Sequence, residues 1–346
     1  MGFPVPAAGP SLVRIRTMNP PDSSLPRQPD RSVTTPIGPA IERTKRMLFQ
    51  PFNLEKWFIL GFCAWLAHLG ERAGGTFNYP GGGGPGGRAP VDFHQSLQTA
   101  KDWLADNRYW LIPVVIAVGV LILGLWLFVT WLNSRGKFMF LHCVALDRAE
   151  VIAPWREYGR EGNSLFQFNV LFGLAGGLLL FPLLGLIGWM IYRMVDVGEV
   201  LARELLVAIG AALVFAVVAL VAGIVRKLTT DFVVPIMYLR RGRCLAAWRE
   251  FWQLFTARIG DFVLYLLFQI VLGLALGVIT LLVMVFTCCF CCLLLLPYLG
   301  TVVLLPLLVF ARNYSVMYFA QHGSGYDVFP PPSAPGAGPL SPPALA

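Results

Sequence analysis

The sequence predicts an all-α fold: a polytopic transmembrane helix bundle of about six spans with cytoplasmic interfacial helices. Three observations predict it: the composition, the position of long uncharged runs, and the side on which Lys and Arg collect. The 346 residues are 56% hydrophobic and only 13% charged, with a mean hydropathy of +0.66. A soluble domain carries about 25% charged residues, so a single water-soluble globule is excluded.

The uncharged runs place the spans. None of residues 109–134, 162–192 or 205–225 is charged, and 262–311 is uncharged for fifty positions. Each exceeds a strand in length, and a helix satisfies its own backbone where lipid cannot. The bilayer core is about 30 Å thick and needs about 20 helical residues. The fifty-residue run therefore divides into two helices around Thr287–Cys292. The first segment is shorter, since 57–70 holds only fourteen uncharged positions. Alone it reads as interfacial or re-entrant; with Asn53–Lys56 as a capped first turn it reads as a span. The predicted spans are 54–70, 109–132, 166–192, 202–225, 262–286 and 294–318.

Charge bias gives the orientation. With six spans, 21 of the 27 Lys and Arg fall on the side of the N-terminal segment, the 133–161 and 226–261 loops and the C-terminal tail. Both termini are therefore expected in the cytoplasm. Were the first segment not to span, Arg43, Lys45 and Arg46 would move outside, against the rule. The net charge of +8 is then an orientation signal and suits contact with anionic headgroups. Nucleic-acid binding is not expected, because no basic soluble domain is present to carry it.

The helical domain is expected over 37–327. Residues 1–36 and 328–346, rich in Pro, read as disordered tails, and the first of them lacks the apolar run of a signal peptide. Residues 74–90, Gly-rich, read as a flexible outer loop; no Lys-Ser/Thr follows the glycines, so they are not a phosphate loop. Residues 91–108 read as a short surface helix.

Asp231 is the sharpest polar signal, the sole charge between Lys227 and Arg240. With Thr229 and Thr230 it forms a candidate intramembrane polar site, on a fourth helix that continues past Arg226 and bends near Pro235. An ionisable group in such a segment is a functional candidate. The plainer reading is a salt bridge to Lys227 or Arg226. A second candidate is an interfacial helix, where Leu245, Trp248, Trp252, Phe255 and Ile259 recur at helical spacing with Arg249, Glu250 and Gln253 on the other sides. Its aromatic face suits either the acyl boundary or the underside of the bundle. Trp155-Arg156-Glu157-Tyr158 recurs as Trp248-Arg249-Glu250-Phe251, and 41–58 occupies the equivalent place before the first span. This suggests three units, each a surface helix followed by a membrane hairpin.

No catalytic set, cofactor site or metal site is expected. Cys288, Cys289, Cys291 and Cys292 are too close together to wrap one metal tetrahedrally, and read first as packing residues, with a disulfide or metal as the other readings. The four histidines are scattered; His68 reads as a helix–helix hydrogen-bond partner. Glu157 and Glu250, each beside an Arg, read as companions that keep a basic surface helix soluble. Small residues at Gly173/Gly177, Gly273/Gly277 and Ala208/Ala212/Ala216 suggest close helix packing.

Several motifs carry a resemblance: LFQPFNLEKWFILGFCAWL, SRGKFMFLHCVALDRAEV with PWREYGREGNSLF, DFVVPIMYL, and LLPYLGTVVLLPLLVFARNYSVMYF. Over residues 38–327 they resemble bacterial six-helix membrane proteins of unknown function. They are also similar to the membrane-domain superfamily typified by the integral membrane part of some glycerophosphoryl diester phosphodiesterases. The resemblance implies a bacterial inner-membrane protein and no catalytic residues. The phosphodiesterase activity belongs to a separate soluble barrel, for which this chain leaves no room. The expected function is that of a non-enzymatic bundle with a structural or accessory role. Its expected partners are membrane lipids, a second copy through helix–helix association, or an unidentified membrane protein. The alternative is a transporter or channel for a small or lipidic solute, resting on the prolines within the spans and on Asp231.

Overall fold

A computed structural model describes residues 32–69, 103, 106–197, 202–286 and 297–329. Every regular element among them is helical. The order is α1 (Ile37–Phe49), α2 (Leu54–His68), α3 (Arg108–Leu146), α4 (Ile152–Glu157), α5 (Gly159–Val197) and α6 (Ala202–Leu228). A π-turn (Thr229–Val233) then leads into α7 (Val234–Arg240), α8 (Cys244–Ala257), α9 (Ile259–Phe286), α10 (Pro297–Val303) and α11 (Leu305–Ala320). The tail segment 330–346, the Gly-rich 74–90, most of 91–105, residues 1–31 and the cysteine cluster at 288–292 lie outside the described residues.

Four helical stretches are long and apolar enough to cross a membrane: Tyr109–Leu146, Gly159–Met194, Ala202–Arg240 and Ile259–Val283. Each has two halves of different character. In one half the apolar side chains stand outward: Leu121, Leu178, Leu206 and Leu274 are 69–78% exposed. In the other half side chains close onto one another: Phe138, Leu165, Phe232 and Tyr265 are fully buried. On α3 the change falls between Phe128 and Asn133. Tyr109–Trp131 would run roughly 34 Å at 1.5 Å per residue, close to the roughly 30 Å of a bilayer core.

α3 does not stop where the charges begin. A loop was expected from residue 133, but the helix continues to Leu146 and ends at Asp147, whose φ of 56° is left-handed. The reason is that Arg135 and Lys137 end the lipid-compatible run without disfavouring helix, and no Pro follows until Pro154. The fourth predicted helix does continue past Arg226, through the π-turn and α7, to Arg240.

The packed halves form a layer built on aromatic rings. Phe232 sits at its centre, with the rings of Tyr265, Phe262, Phe319 and Phe251 at 4.9, 5.1, 5.3 and 5.4 Å. Burying a side chain of that size stabilises by about 1.5–3 kcal/mol, and aromatic contacts add about 0.5–1.5 kcal/mol per pair. Ser32–Pro36, expected to belong to the N-terminal tail, is held to this layer: the Tyr314 hydroxyl donates to the Val33 carbonyl at 2.8 Å. At the other end Val328 is buried and the Arg43 guanidinium lies 4.0 Å over the Phe329 ring.

α2 belongs to the same layer. It begins on the expected cap, with the Asn53 side chain accepting from the Glu55 and Lys56 N–H groups. It then runs antiparallel to the second half of α3: Lys56 Nζ meets Asp147 at 2.9 Å at one end, and Asn133 Nδ2 donates to the Ala67 carbonyl at 2.7 Å at the other. The approach is close enough that a Cβ on Gly136 would lie 2.5 Å from the Leu66 carbonyl carbon. With 15 residues it covers only about 22 Å. The predicted sixth helix is divided at Leu304 into α10 and α11. Pro306 accounts for the division, since its ring excludes the carbonyl four residues earlier and it has no N–H to give.

The small-residue motifs are used unevenly. A Cβ on Gly173 would meet Trp126 at 2.9 Å, so this glycine seats the indole of α3 against α5. Beside Gly273 and Gly277 there is open space. On α6 the buried positions are Glu204, Ala211 and Leu228, while Ala212 and Ala216 are exposed. The packing face is thus rotated from the predicted alanine stripe, because Glu204 turns inward to meet Arg193 of α5 at 3.5 Å.

Candidate functional site

The candidate polar site is the π-turn itself. Its origin lies in Pro235, two residues into the next helical segment. In a regular α-helix the Pro235 ring would collide with the carbonyl of Asp231. Widening the turn relieves this, and the Val234 N–H donates to the carbonyl of Thr229 instead. Such turns occur mostly as single insertions and often at functional sites. Here the widened turn lets three consecutive polar residues point in different directions.

Thr229 turns back on its own helix, its hydroxyl donating to the Val225 carbonyl at 2.7 Å. Thr230 faces two other helices. Its hydroxyl accepts from Lys137 Nζ of α3 at 3.0 Å, and its carbonyl accepts from Arg312 Nη1 of α11 at 2.7 Å. Asp231 is buried, and its Oδ2 accepts from Lys227 Nζ at 3.0 Å and from the Tyr265 hydroxyl of α9 at 2.9 Å. Gln269, one turn on, donates to that hydroxyl at 2.8 Å. Tyr265 is held flat against Tyr318, ring centroids 4.7 Å apart. The turn therefore joins α3, α6, α9 and α11 through hydrogen bonds, most of them charge-assisted.

The salt bridge to Lys227 was legible from the i,i+4 spacing. Lys137, Arg312, Tyr265 and Gln269 were not assigned to the site. Lys137 falls in the predicted 133–161 loop and Arg312 toward the end of the predicted 294–318 span, whereas both are buried in helices that face the π-turn. The Tyr265/Gln269 pair, also at i,i+4 in an apolar run, was the signal that would have pointed to a polar partner across the bundle.

The second candidate, α8, splits its aromatic stripe between two environments. Phe251 is fully buried and Ala247 and Cys244 are buried beside it. Trp248 and Phe255 pack on this core at 5.6 and 5.9 Å from Phe251. Leu245, Trp252 and Ile259 are 52–74% exposed, and Arg249 is exposed. The helix is fastened by the face one residue round from the predicted stripe. Burial pushes the Cys244 thiol up to about 12, so it stays protonated and is no nucleophile near neutral pH.

The repeated Trp-Arg-Glu segments have a shared use that differs from the expected one. Glu157 pairs with Arg241, and Glu250 pairs with Arg240 at 3.3 Å. Each acid thus meets a distant arginine at the end of α7, not its sequence neighbour. The residue after each glutamate is a buried aromatic, Tyr158 stacking on Tyr238 near the end of α7 at 4.8 Å and Phe251 on Phe232 of the π-turn at 5.4 Å. The two segments are both tied to the end of α7 through these arginines. Burial holds the Tyr158 phenol well above its usual range.

Among the described residues, no three His, Cys, Asp or Glu side chains come close enough to hold a metal ion. Cys63, Cys143 and Cys244 are free and buried. Chemically the π-turn can hold four helices in register through a shielded charge.

No curated protein matches this chain, and no solved structure matches it. Residues 32–323 match a family described as a family of unknown function (DUF7544). That stretch covers the ordered helices from α1 to α11, the π-turn and both Trp-Arg-Glu segments. The chain belongs to this family of unknown function.

Proposed function

We propose that this protein is a non-catalytic integral membrane bundle with a structural or accessory role. The observation that carries this reading is the state of Asp231. Its buried carboxylate already accepts from Lys227 and Tyr265, and the neighbouring Thr229 and Thr230 hydroxyls are bonded to protein groups. A general acid or base has to reach a substrate proton, and a carrier site has to exchange its partners; Asp231 is held by groups from its own chain.

The proposal includes topology. Leu69 accepts from Asn133 and Tyr298 donates to the Phe58 carbonyl, both within the packed layer. Arg108 and Phe286 stand at the far ends of α3 and α9. Four of the six proposed passages are the described long helical stretches that run between the layer and those far ends. The Lys and Arg bias supports placing the layer on the cytoplasmic side, in what we propose is a bacterial inner membrane.

The test is Asp231→Asn beside the unaltered protein, both reconstituted in liposomes. Equal and background-level lipid hydrolysis, lipid transfer and solute flux are expected. Lipid hydrolysis or transfer that vanishes in the variant would establish an enzyme or lipid transferase. Loss of solute flux alone would establish the transporter reading.

A further inference from the structure

Leu245 and Trp252 stand seven residues apart, so two turns of α8 bring them onto one line, and both are exposed, at 74% and 57%. Beyond the helix Ile259 opens α9 and is exposed, as are Val263 and Leu267 after it. We propose that the outer face of α8 docks on the cytoplasmic leaflet, with Leu245 and Trp252 among the upper acyl segments and Arg249 at the headgroups of anionic phospholipids.

The level of α8 selects the occupant. On α3 the outward-facing side chains give way to the packed layer between Phe128 and Asn133. Trp131, within that stretch, donates from Nε1 to Asn163 of α5 at 3.3 Å. The next residue of α5, Ser164, accepts from the Cys244 N–H at 3.0 Å, which sets the start of α8 at the same level. One turn later Trp248 lies 6.0 Å from Phe168 of α5, three residues before the exposed Leu171. At its other end α8 leads through Arg258 into α9, whose apolar stretch from Ile259 is long enough to cross a membrane. Both ends of α8 thus join membrane-length helices. A helix so placed lies along the edge of the bundle, at the depth where headgroups meet acyl chains.

Three sectors of α8 fit three surroundings. Cys244, Ala247 and Phe251 are buried against the bundle. Leu245 and Trp252 form an apolar exposed sector, and Trp is enriched at this depth of a membrane. Arg249, about 40° round from Leu245, is exposed with Gln253 and forms the polar sector. A helix with an apolar strip and a cationic polar face lies in the interface plane. Thr256, one turn after Trp252, is exposed too, but its hydroxyl donates to the Trp252 carbonyl at 2.9 Å and brings no unmet hydrogen bond to the boundary. Charge selects the lipid. Arg240, Arg241 and Arg258 meet Glu250, Glu157 and Asp261. Among the described residues the exposed Arg243 and Arg249 form no ion pair, which leaves them to acidic headgroups.

The inference rests on the membrane-bundle reading, and the experiment separates the two. The full chain is reconstituted in vesicles of equal parts phosphatidylglycerol and phosphatidylcholine, with p-benzoylphenylalanine replacing Leu245, Trp252, Gln253 or Leu274 in turn. All four native side chains are exposed, so the probe displaces no packing. After irradiation, mass spectrometry counts lipid adducts. Position 274, far along α9, reports on the membrane itself; no lipid adduct there would overturn the bundle reading and this inference with it. Given adducts at 274, positions 245 and 252 are expected to match them, and position 253 to give about fivefold fewer. Adducts at 252 are expected to favour phosphatidylglycerol about twofold, and Arg249→Gln to remove most of that preference without lowering the total yield. Adducts absent from 245 and 252 but present at 274, equal yields at 252 and 253, or adducts to another protein at 252 would overturn the docking. A lipid ratio that Arg249→Gln leaves unchanged would overturn the headgroup contact.

Discussion

The Tyr265 hydroxyl donates to Oδ2 of Asp231 at 2.9 Å, joining α9 to the π-turn across a fully buried ring. Hydrogen bonds to a charged group are worth about 1.5–3 kcal/mol. Tyr265→Phe should therefore destabilise the protein by about 1–3 kcal/mol in detergent unfolding. Removing the carboxylate with Asp231→Ala should cost at least as much, because it leaves the buried Tyr265 hydroxyl without its acceptor, while the Lys227 ammonium, 44% exposed, can turn to solvent. In an Asp231→Asn background the Tyr265→Phe effect should shrink, since the two share one interaction. Strict additivity would mean that the two side chains do not couple.

Gly136 should tolerate no side chain. A Cβ there falls 2.5 Å from the carbonyl carbon of Leu66 and 2.7 Å from the nitrogen of Ala67. These are backbone atoms, which cannot swing aside. Gly136→Val is expected to push α2 from α3 and lower the unfolding midpoint sharply, with a cost above the usual 1–3 kcal/mol of overpacking. Gly119→Ala on the same helix, where a Cβ meets nothing within 4 Å, should be neutral or slightly stabilising. Equal effects at the two positions would contradict the α2–α3 packing.

His322 should make the packed layer sensitive to acid. Its ring lies 5.0 Å from Phe262 and 5.3 Å from Tyr318, and its Nδ1 is 3.3 Å from the Tyr318 carbonyl. Burial pushes its pKa below the ordinary value, with Arg258 adding to the effect and Asp261 opposing it. An unfolded chain takes up this proton near pH 6.5, whereas the folded one resists until lower pH. No stability is lost above about pH 6.5; below it, stability falls until the folded pKa is reached. His322→Asn should give a shallower decline of unfolding temperature between pH 7.5 and 5.5. Parallel declines would show that His322 is not the group responsible.

The topology can be read by labelling in cysteine-free protein carrying one new thiol. Asp106→Cys should react with an impermeant maleimide from outside intact cells, and Arg249→Cys only after the inner membrane is opened. Both native side chains are exposed. Reaction of position 249 from outside would reverse the proposed orientation.

What the sequence determined by itself follows from solvent preference, which acts residue by residue. Long uncharged runs in a chain with 13% charge required membrane-length helices, and the runs at 109–134, 162–192, 205–225 and 262–286 each lie in a long helix. The Asp231–Lys227 pair was also legible, because i,i+4 spacing brings two side chains together in any helix. Tertiary structure decided the rest, because it depends on which helix faces which. Lys137 looks like a loop charge and Arg312 like a charge at the end of a span until α3 and α11 bring them to Thr230. Glu157 and Glu250 look like partners of their neighbouring arginines until α7 ends between them. On α8 it is Phe251 and not Trp252 that turns inward, because Phe232 of the π-turn and Phe168 of α5 meet the helix on that side, a matter of packing geometry that periodicity within a single helix does not encode.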